Sequence, residues 1–490
     1  MKGQWLLLVT VLLVLAAFGG TAPTSAQSNE TFVICEGRIS ATLNGGIATQ
    51  TGIATHPRIA IYKLSDNNTA VFVVWEEDVT WKENKNDKPK PLNREILLQR
   101  LVFKPNDACK VEEKGITLAP LEIYGEKDNP DNLANVSKSW DSGVSAAPDV
   151  GLTSRETGLV VWQDSIQNEE NHWDVPVIFL RRFTVKTDTK EIKFDDALSL
   201  SDSIPGVAWG AENPSIVIDG VGGSYVAWTQ ETADRRKEIY FRSSAPFAPK
   251  VNVSRGLTGV AGAPHAAMDT SKVYVVWQGT SEELPGIEPE IFISQANDPG
   301  RSFIKPVFSA PKNISGPDSS GSSVDPAIAV EKQRGQPIGP QVVVWSDNSP
   351  RDDNPNGNSH IFFRRSTEAF YPPFNVSANC TSAAPGGNSY HPAIAVVDSS
   401  NLASKDDNIA IVWQQENKTK TNSDIFFARS NFRPLDPFTC INLTGSKDRQ
   451  ARYPAVAIDH AGTAYIVWQG KDDSKSNASA IYLTVVYKKP

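Results

Sequence analysis

The chain has no excess of basic residues: 48 Lys and Arg stand against 56 Asp and Glu, for a net charge of −8 over 490 residues. Nucleic acid and anionic membranes both need concentrated positive charge, so neither is expected as the main partner. Methionine (2), histidine (6) and cysteine (4) are scarce. HExxH, CxxC, GxSxG and phosphate-loop motifs are absent, which excludes the metal, redox, hydrolase-elbow and nucleotide chemistries those spacings serve. No heptads or long amphipathic helical segments occur. Beyond the N-terminus no apolar run is long enough to cross a membrane.

The N-terminal 26 residues carry one Lys, an apolar stretch from Trp5 to about Phe18, and small residues ending at Thr24, Ser25 and Ala26. This reads as a secretory signal in residues 1–26 cleaved after Ala26, with an uncleaved anchor as the alternative. Residues 27–490 then form one exported, secreted or cell-surface body, expected to be a monomer with no membrane insertion. In that setting four cysteines suggest two disulfides.

Against these absences stands a repeat. Seven segments share a proline, an alternating apolar stretch, a turn, and an apolar run ending in tryptophan. The prolines are Pro57, Pro148, Pro214, Pro264, Pro326, Pro392 and Pro454; the tryptophans are Trp75, Trp162, Trp228, Trp277, Trp345, Trp413 and Trp468. A third short apolar run follows each Trp, and a fourth, often Asn-Val-Ser, closes most units. β-Branched and aromatic residues favour strands over helices. The run at Trp is apolar on both faces and needs burial on both sides. Four-stranded sheets packed face to face around an axis provide it. The expected fold is therefore all-β: a seven-bladed β-propeller of four-stranded blades.

The seventh unit stops after its third run. Residues 31–40, with Cys35, resemble the fourth run of unit six, with Cys440, so the N-terminal strand is expected to close the last blade. Cys109 occupies a place in unit one similar to that of Cys440. Neighbouring blades then predict the pairs Cys35–Cys109 and Cys380–Cys440.

The repeat resembles the sialidase-like propellers that carry Asp-box (BNR) repeats. Asp298, Gly300, Ser302 and Phe303 match one Asp-box, with Ala296 replacing its first Ser; in that family the box is a structural turn. Family sialidases usually have six blades. They also carry an Arg-Ile-Pro motif whose Arg holds the substrate carboxylate. Here Arg58-Ile59-Ala60 stands at the comparable place, so the resemblance implies that role for Arg58; a salt-bridged residue at the channel mouth is the alternative. The other triad arginines, the acid/base Asp and the Glu that activates a nucleophilic Tyr have no identifiable counterpart.

The residues after the seven prolines are Arg58, Asp149, Ser215, His265, Ala327, Ala393 and Ala455; those before include His56, Asp325, His391 and Tyr453. Arg58, Asp149, His265, His391 and Tyr453 are candidate ligand contacts, or else solvated loop ends and ring hydrogen bonds. Four tryptophans lie outside the repeat: Trp81, Trp140, Trp173 and Trp209. All fall in loops expected on one face, over units one to three. There they suit stacking on sugar rings, or anchor the loops. Asp352, Asn354 and Asn356 match the first half of a calcium loop but lack its closing carboxylate, so calcium is a weak expectation and no other cofactor is implied. The functional expectation is a non-catalytic module binding an extracellular glycan or glycoprotein. The alternative is an exo-sialidase-type glycoside hydrolase.

Overall fold

The structure is a computed structural model. It describes residues 32–40, 48–81, 93–104, 108–112, 115–118, 120, 122–125, 133–138, 144–167, 174–201, 210–245, 248–257, 259–269, 271–280, 288–297, 305–316, 321–331, 339–350, 354–366, 373–380, 387–397, 409–417, 421–430, 438–445, 449–471 and 478–488. The first 31 residues lie outside the described residues, as does the Asp-box from Asp298 to Phe303. Every regular element among the described residues is a strand, and none is a helix long and apolar enough to cross a membrane.

Each repeat folds as an antiparallel sheet in chain order. In unit three, Ala211–Ile218 pairs with Ser224–Glu231, which pairs with Lys237–Ser243, which pairs with Val251–Asn252. Units four, five and six repeat this order. In unit seven the third strand, Ser479–Lys488, takes the N-terminal strand Phe32–Arg38 as its outer partner, with Phe32 opposite Lys488 and Cys35 opposite Val485. Unit one departs most. Its third strand, Asn93–Phe103, pairs with two short outer strands, Glu122–Tyr124 and Ala134–Asn135. Between Phe103 and Glu122, a hairpin of Cys109–Glu112 and Gly115–Leu118 leaves the unit, and its second strand joins Phe32–Arg38 in parallel.

The disulfides are Cys35–Cys109 and Cys380–Cys440, with Cα atoms 5.6 and 5.5 Å apart. Cys109 does not occupy the outer-strand slot that Cys440 fills in Thr439–Asn442. It sits on the extra hairpin, which the longer connection in unit one makes possible. The bridge thus tacks that hairpin to the N-terminal strand.

The repeat tryptophans are buried, and each packs on the preceding unit. Trp162 clusters with Phe72 and Val74, Trp277 with Ala227 and Phe241, and Trp413 with Val342 and Val344. Trp75 clusters with Tyr465 and Val467 of the seventh unit. Within its own sheet each Trp after the first faces an aromatic on the third strand, as Trp277 faces Phe292 with ring centres 6.0 Å apart. The recurrent Asn-x-Ser/Thr runs also have a structural use. The hydroxyls of Ser137, Ser254, Ser315, Ser377 and Thr444 accept the N–H at or near the start of the third strand, at 2.9–3.1 Å.

Candidate functional site

The first strand of every repeat carries the same irregularity. Two residues, the proline and the one before it, oppose a single residue on the second strand, and that residue is the repeat Trp. Thus Thr55 pairs with Glu76 and Arg58 with Val74, leaving His56 and Pro57 across from Trp75. The same two-to-one step recurs in the other six units. The residue before each proline is in the left-handed region: His56, Ala147, Asn213, Ala263, Asp325, His391 and Tyr453 have φ between 47° and 54°. A bulge with a left-handed first residue bends an edge strand and re-aims its side chains. Proline fits beside it because an edge strand needs no ladder donor there. Left-handed backbone costs a non-glycine residue about 1–2 kcal/mol, and all seven units accept that cost.

Two belts of hydrogen bonds tie neighbouring units at this level. In the first, the residue after the Trp reaches the N–H of the left-handed residue in the next unit. Ala147 N–H donates to Glu76 Oε1 (2.7 Å), Asn213 N–H to Gln163 Oε1 (3.0 Å) and Asp325 N–H to Gln278 Oε1 (2.9 Å). In the second, the residue after the proline serves the next unit. Ile216 N–H donates to Asp149 Oδ2 (2.9 Å), Ala266 N–H to Ser215 Oγ (3.2 Å) and Ile328 N–H to His265 Nδ1 (3.4 Å). Units five, six and seven carry Ala327, Ala393 and Ala455 at that place, and alanine has no acceptor to offer.

Residues of all seven bulges line a cavity of about 550 Å³. Arg58, Asp149, His265, His391 and Tyr453 all line it, so five candidate residues scattered over nearly 400 positions of sequence share one site. Trp140, Trp173 and Trp209 lie outside the described residues, and Trp81 is described only as the backbone end of Thr69–Trp81. Asp352 is likewise outside them, while Asn354 is buried, its amide donating to the Ser349 and Asn358 carbonyls at 3.1 and 2.8 Å.

Units six, seven and one present a row of rings at the mouth. Tyr453 stands between His391 and His56, with centroid distances of 4.7 and 4.3 Å. A carboxylate holds each imidazole: His391 Nδ1 lies 2.9 Å from Asp325 Oδ2, and His56 Nδ1 lies 3.0 Å from Glu76 Oε1. Nothing in the sequence marks these pairs, since the partners come from different strands or different repeats.

Burial raises the Asp149 carboxyl above its ordinary range, opposed by Arg58 and by the amides of Ile216 and Val150. Burial, aided by Arg58, pushes His265 down to about 4. His265 is therefore neutral near pH 7. Because Nδ1 accepts the Ile328 N–H, its proton is on Nε2.

Among the described residues two carboxylates line the cavity, and both are engaged. Asp149 accepts two amides, and Asp325 holds His391. Glycosidic hydrolysis by paired carboxyl groups needs one to protonate the leaving group and another to attack or to activate water. Tyr453 has imidazoles as its ring neighbours. Hydrogen-bond donors and aromatic faces around a concave space are suited to holding a polar ligand.

Solved structures of similar fold include sialidases. The leech intramolecular trans-sialidase is 8% identical, covers 94% of each chain and has a TM-score of 0.42. An ulvan lyase is 9% identical, covering 89% of this chain and 94% of its own, with a TM-score of 0.48. The α-L-arabinanase of Penicillium chrysogenum is 12% identical, covering 70% of this chain and 92% of its own, with a TM-score of 0.43. These TM-scores are below 0.5, so the likenesses assign no activity to this chain. No protein-family profile and no curated protein matches it by sequence.

Proposed function

We propose that this chain is an exported seven-bladed β-propeller, closed by its N-terminal strand, that binds a glycan or another extracellular ligand at the cavity ringed by the seven prolines. Residues 1–26 direct export and residues 27–490 form the binding body, a monomer. The observation that carries the reading is the cavity itself: all seven repeats contribute to it, its carboxylates are engaged, and His391, Tyr453 and His56 leave aromatic faces at its mouth. Packing of Trp75 against the seventh unit and pairing of Phe32–Arg38 with Ser479–Lys488 support closure. Two disulfides suit an oxidising compartment. The loops bearing Trp81, Trp140, Trp173 and Trp209 extend the site over units one to three.

The test is a glycan array probed with residues 27–490, beside a fluorogenic sialoside assay. Binding should appear without turnover, and Tyr453→Ala should weaken it about tenfold or more while the melting temperature holds. Unaltered binding by Tyr453→Ala would place the ligand elsewhere. Turnover abolished by Arg58→Ala would make the protein a hydrolase.

A further inference from the structure

Three peptide N–H groups that face the cavity point to the chemistry of its ligand, given the reading of that cavity as a binding site. The residue two places after each proline pairs with the second strand at an equivalent register: Ile216 with Val226, Ala266 with Val275, Ile328 with Val343, and likewise Ile59 with Val73, Ile394 with Ile411 and Val456 with Ile466. In an antiparallel ladder alternate residues turn N–H and C=O away from the partner strand. The N–H groups of Ile216, Ala266 and Ile328 do so and meet a side chain of the preceding unit. The shared register sends those of Ile59, Ile394 and Val456 to the same side, and all three residues line the cavity. The preceding units offer them Ala455, Ala327 and Ala393 in turn. Among the described residues no protein acceptor meets these three N–H groups.

Asp149 shows what fits such a position. One of its oxygens accepts the Val150 N–H of its own unit at 2.9 Å, and the other accepts the Ile216 N–H of the next unit at 2.9 Å. Ala393 holds the equivalent place between Ile394 and Val456. Its neighbours in the belt, Ala327 and Ala455, are small as well, so the wall recedes across three units.

We infer that the ligand carries a carboxylate, bound over Ala393 with one oxygen on the Ile394 N–H and the other on the Val456 N–H. The Ile59 N–H takes a hydroxyl or ring oxygen of the same molecule. The class implied is a sugar acid or a similar hydroxylated carboxylate. Hydrogen bonds to an ionised acceptor are roughly twice as strong as neutral ones, which favours a carboxylate over a neutral oxygen for the paired donors. The charges around the site allow it: Asp325 is paired with His391, and Arg58 adds a positive charge to the same cavity.

The experiment titrates the mature protein with glucuronate, with glucose as the neutral counterpart and acetate as the bare carboxylate, by calorimetry and by melting temperature. Glucuronate should bind and raise the melting temperature, acetate should do so more weakly, and glucose should bind at least tenfold more weakly than glucuronate. Ala393→Asp supplies an internal carboxylate to the same N–H pair; it should melt at or above the wild type and bind glucuronate at least tenfold more weakly. Asp149→Ala uncovers a second pair; its melting temperature should fall and be partly restored by acetate. Equal binding of glucuronate and glucose, no response to either acid, or wild-type affinity in Ala393→Asp would each overturn the inference. Array glycans that bind in a Tyr453-dependent way yet ignore Ala393→Asp would overturn the carboxylate and leave the cavity reading standing.

Discussion

Cys35 is bonded to Cys109, 74 residues away, and thereby joins the strand that pairs with Ser479–Lys488 to a hairpin grown out of unit one. Chain-entropy arguments assign a loop of this length about 4 kcal/mol. Replacing both cysteines by serine should lower the melting temperature by several degrees without abolishing the fold. Removing residues 27–45 should do more, because it also exposes the Ser479–Lys488 edge. Aggregation or a much larger loss of stability is expected in calorimetry and light scattering. A truncated protein melting cooperatively at the original temperature would show that the N-terminal strand is dispensable.

Trp277 is fully buried between its own sheet and unit three. Its indole N–H has no hydrogen-bond partner among the described residues, because Gly279 stands where five other units place an acceptor for the Trp, such as Asp164 at 3.2 Å or Gln230 at 3.1 Å. Trp277→Ala should destabilise the protein by roughly 3–5 kcal/mol in denaturant titrations. Trp277→Phe should cost less than Trp228→Phe, since only the latter strands a buried Gln230 acceptor.

His265 should make stability fall with acid. Its folded pKa of about 4 lies below the ordinary 6.5, so as pH drops the unfolded chain takes up the proton first. The contribution is intact above pH 6.5, declines as pH falls toward 4 and is flat below. It amounts to roughly 3 kcal/mol at most. His265→Gln keeps an acceptor for Ile328 N–H and should flatten that decline. Asp149, raised by burial, acts in the opposite sense, being stabilising in its protonated form, so the mutant-minus-wild-type difference is the quantity to measure. Identical pH profiles in the two proteins would assign the decline to other groups.

Trp173→Ala and Trp209→Ala test the loop-borne part of the proposed site. Each should weaken binding to an array-identified glycan by on the order of tenfold while melting near the wild-type temperature, since a ring that stacks on the ligand contributes buried area only in the complex. If both bind normally, or both melt as badly as Trp277→Ala, the ligand does not reach these loops.

The repeat was legible without coordinates because its physics is local. Alternating apolar residues, turn residues and a Trp at constant spacing dictate strands, and a second strand apolar on both faces dictates sheet-on-sheet packing. The pair Cys380–Cys440 followed from matching one repeat to another; Cys35–Cys109 is present as expected, but Cys109 sits on a hairpin and not in the matched place, since nothing in the four residues Cys109–Glu112 marks which distant edge they join. The proline positions were visible too, and with them the residues that line the cavity. Their roles were not. Whether Asp149 is a free carboxylate or a clasp on Ile216 depends on a bulge that turns one strand toward its neighbour, and on what the neighbouring unit presents there. Ala327, Ala393 and Ala455 look inert in the sequence. Only the tertiary arrangement, by aligning every first strand in one register beside a common space, makes three alanines the reason that three N–H groups at the cavity meet no protein acceptor among the described residues.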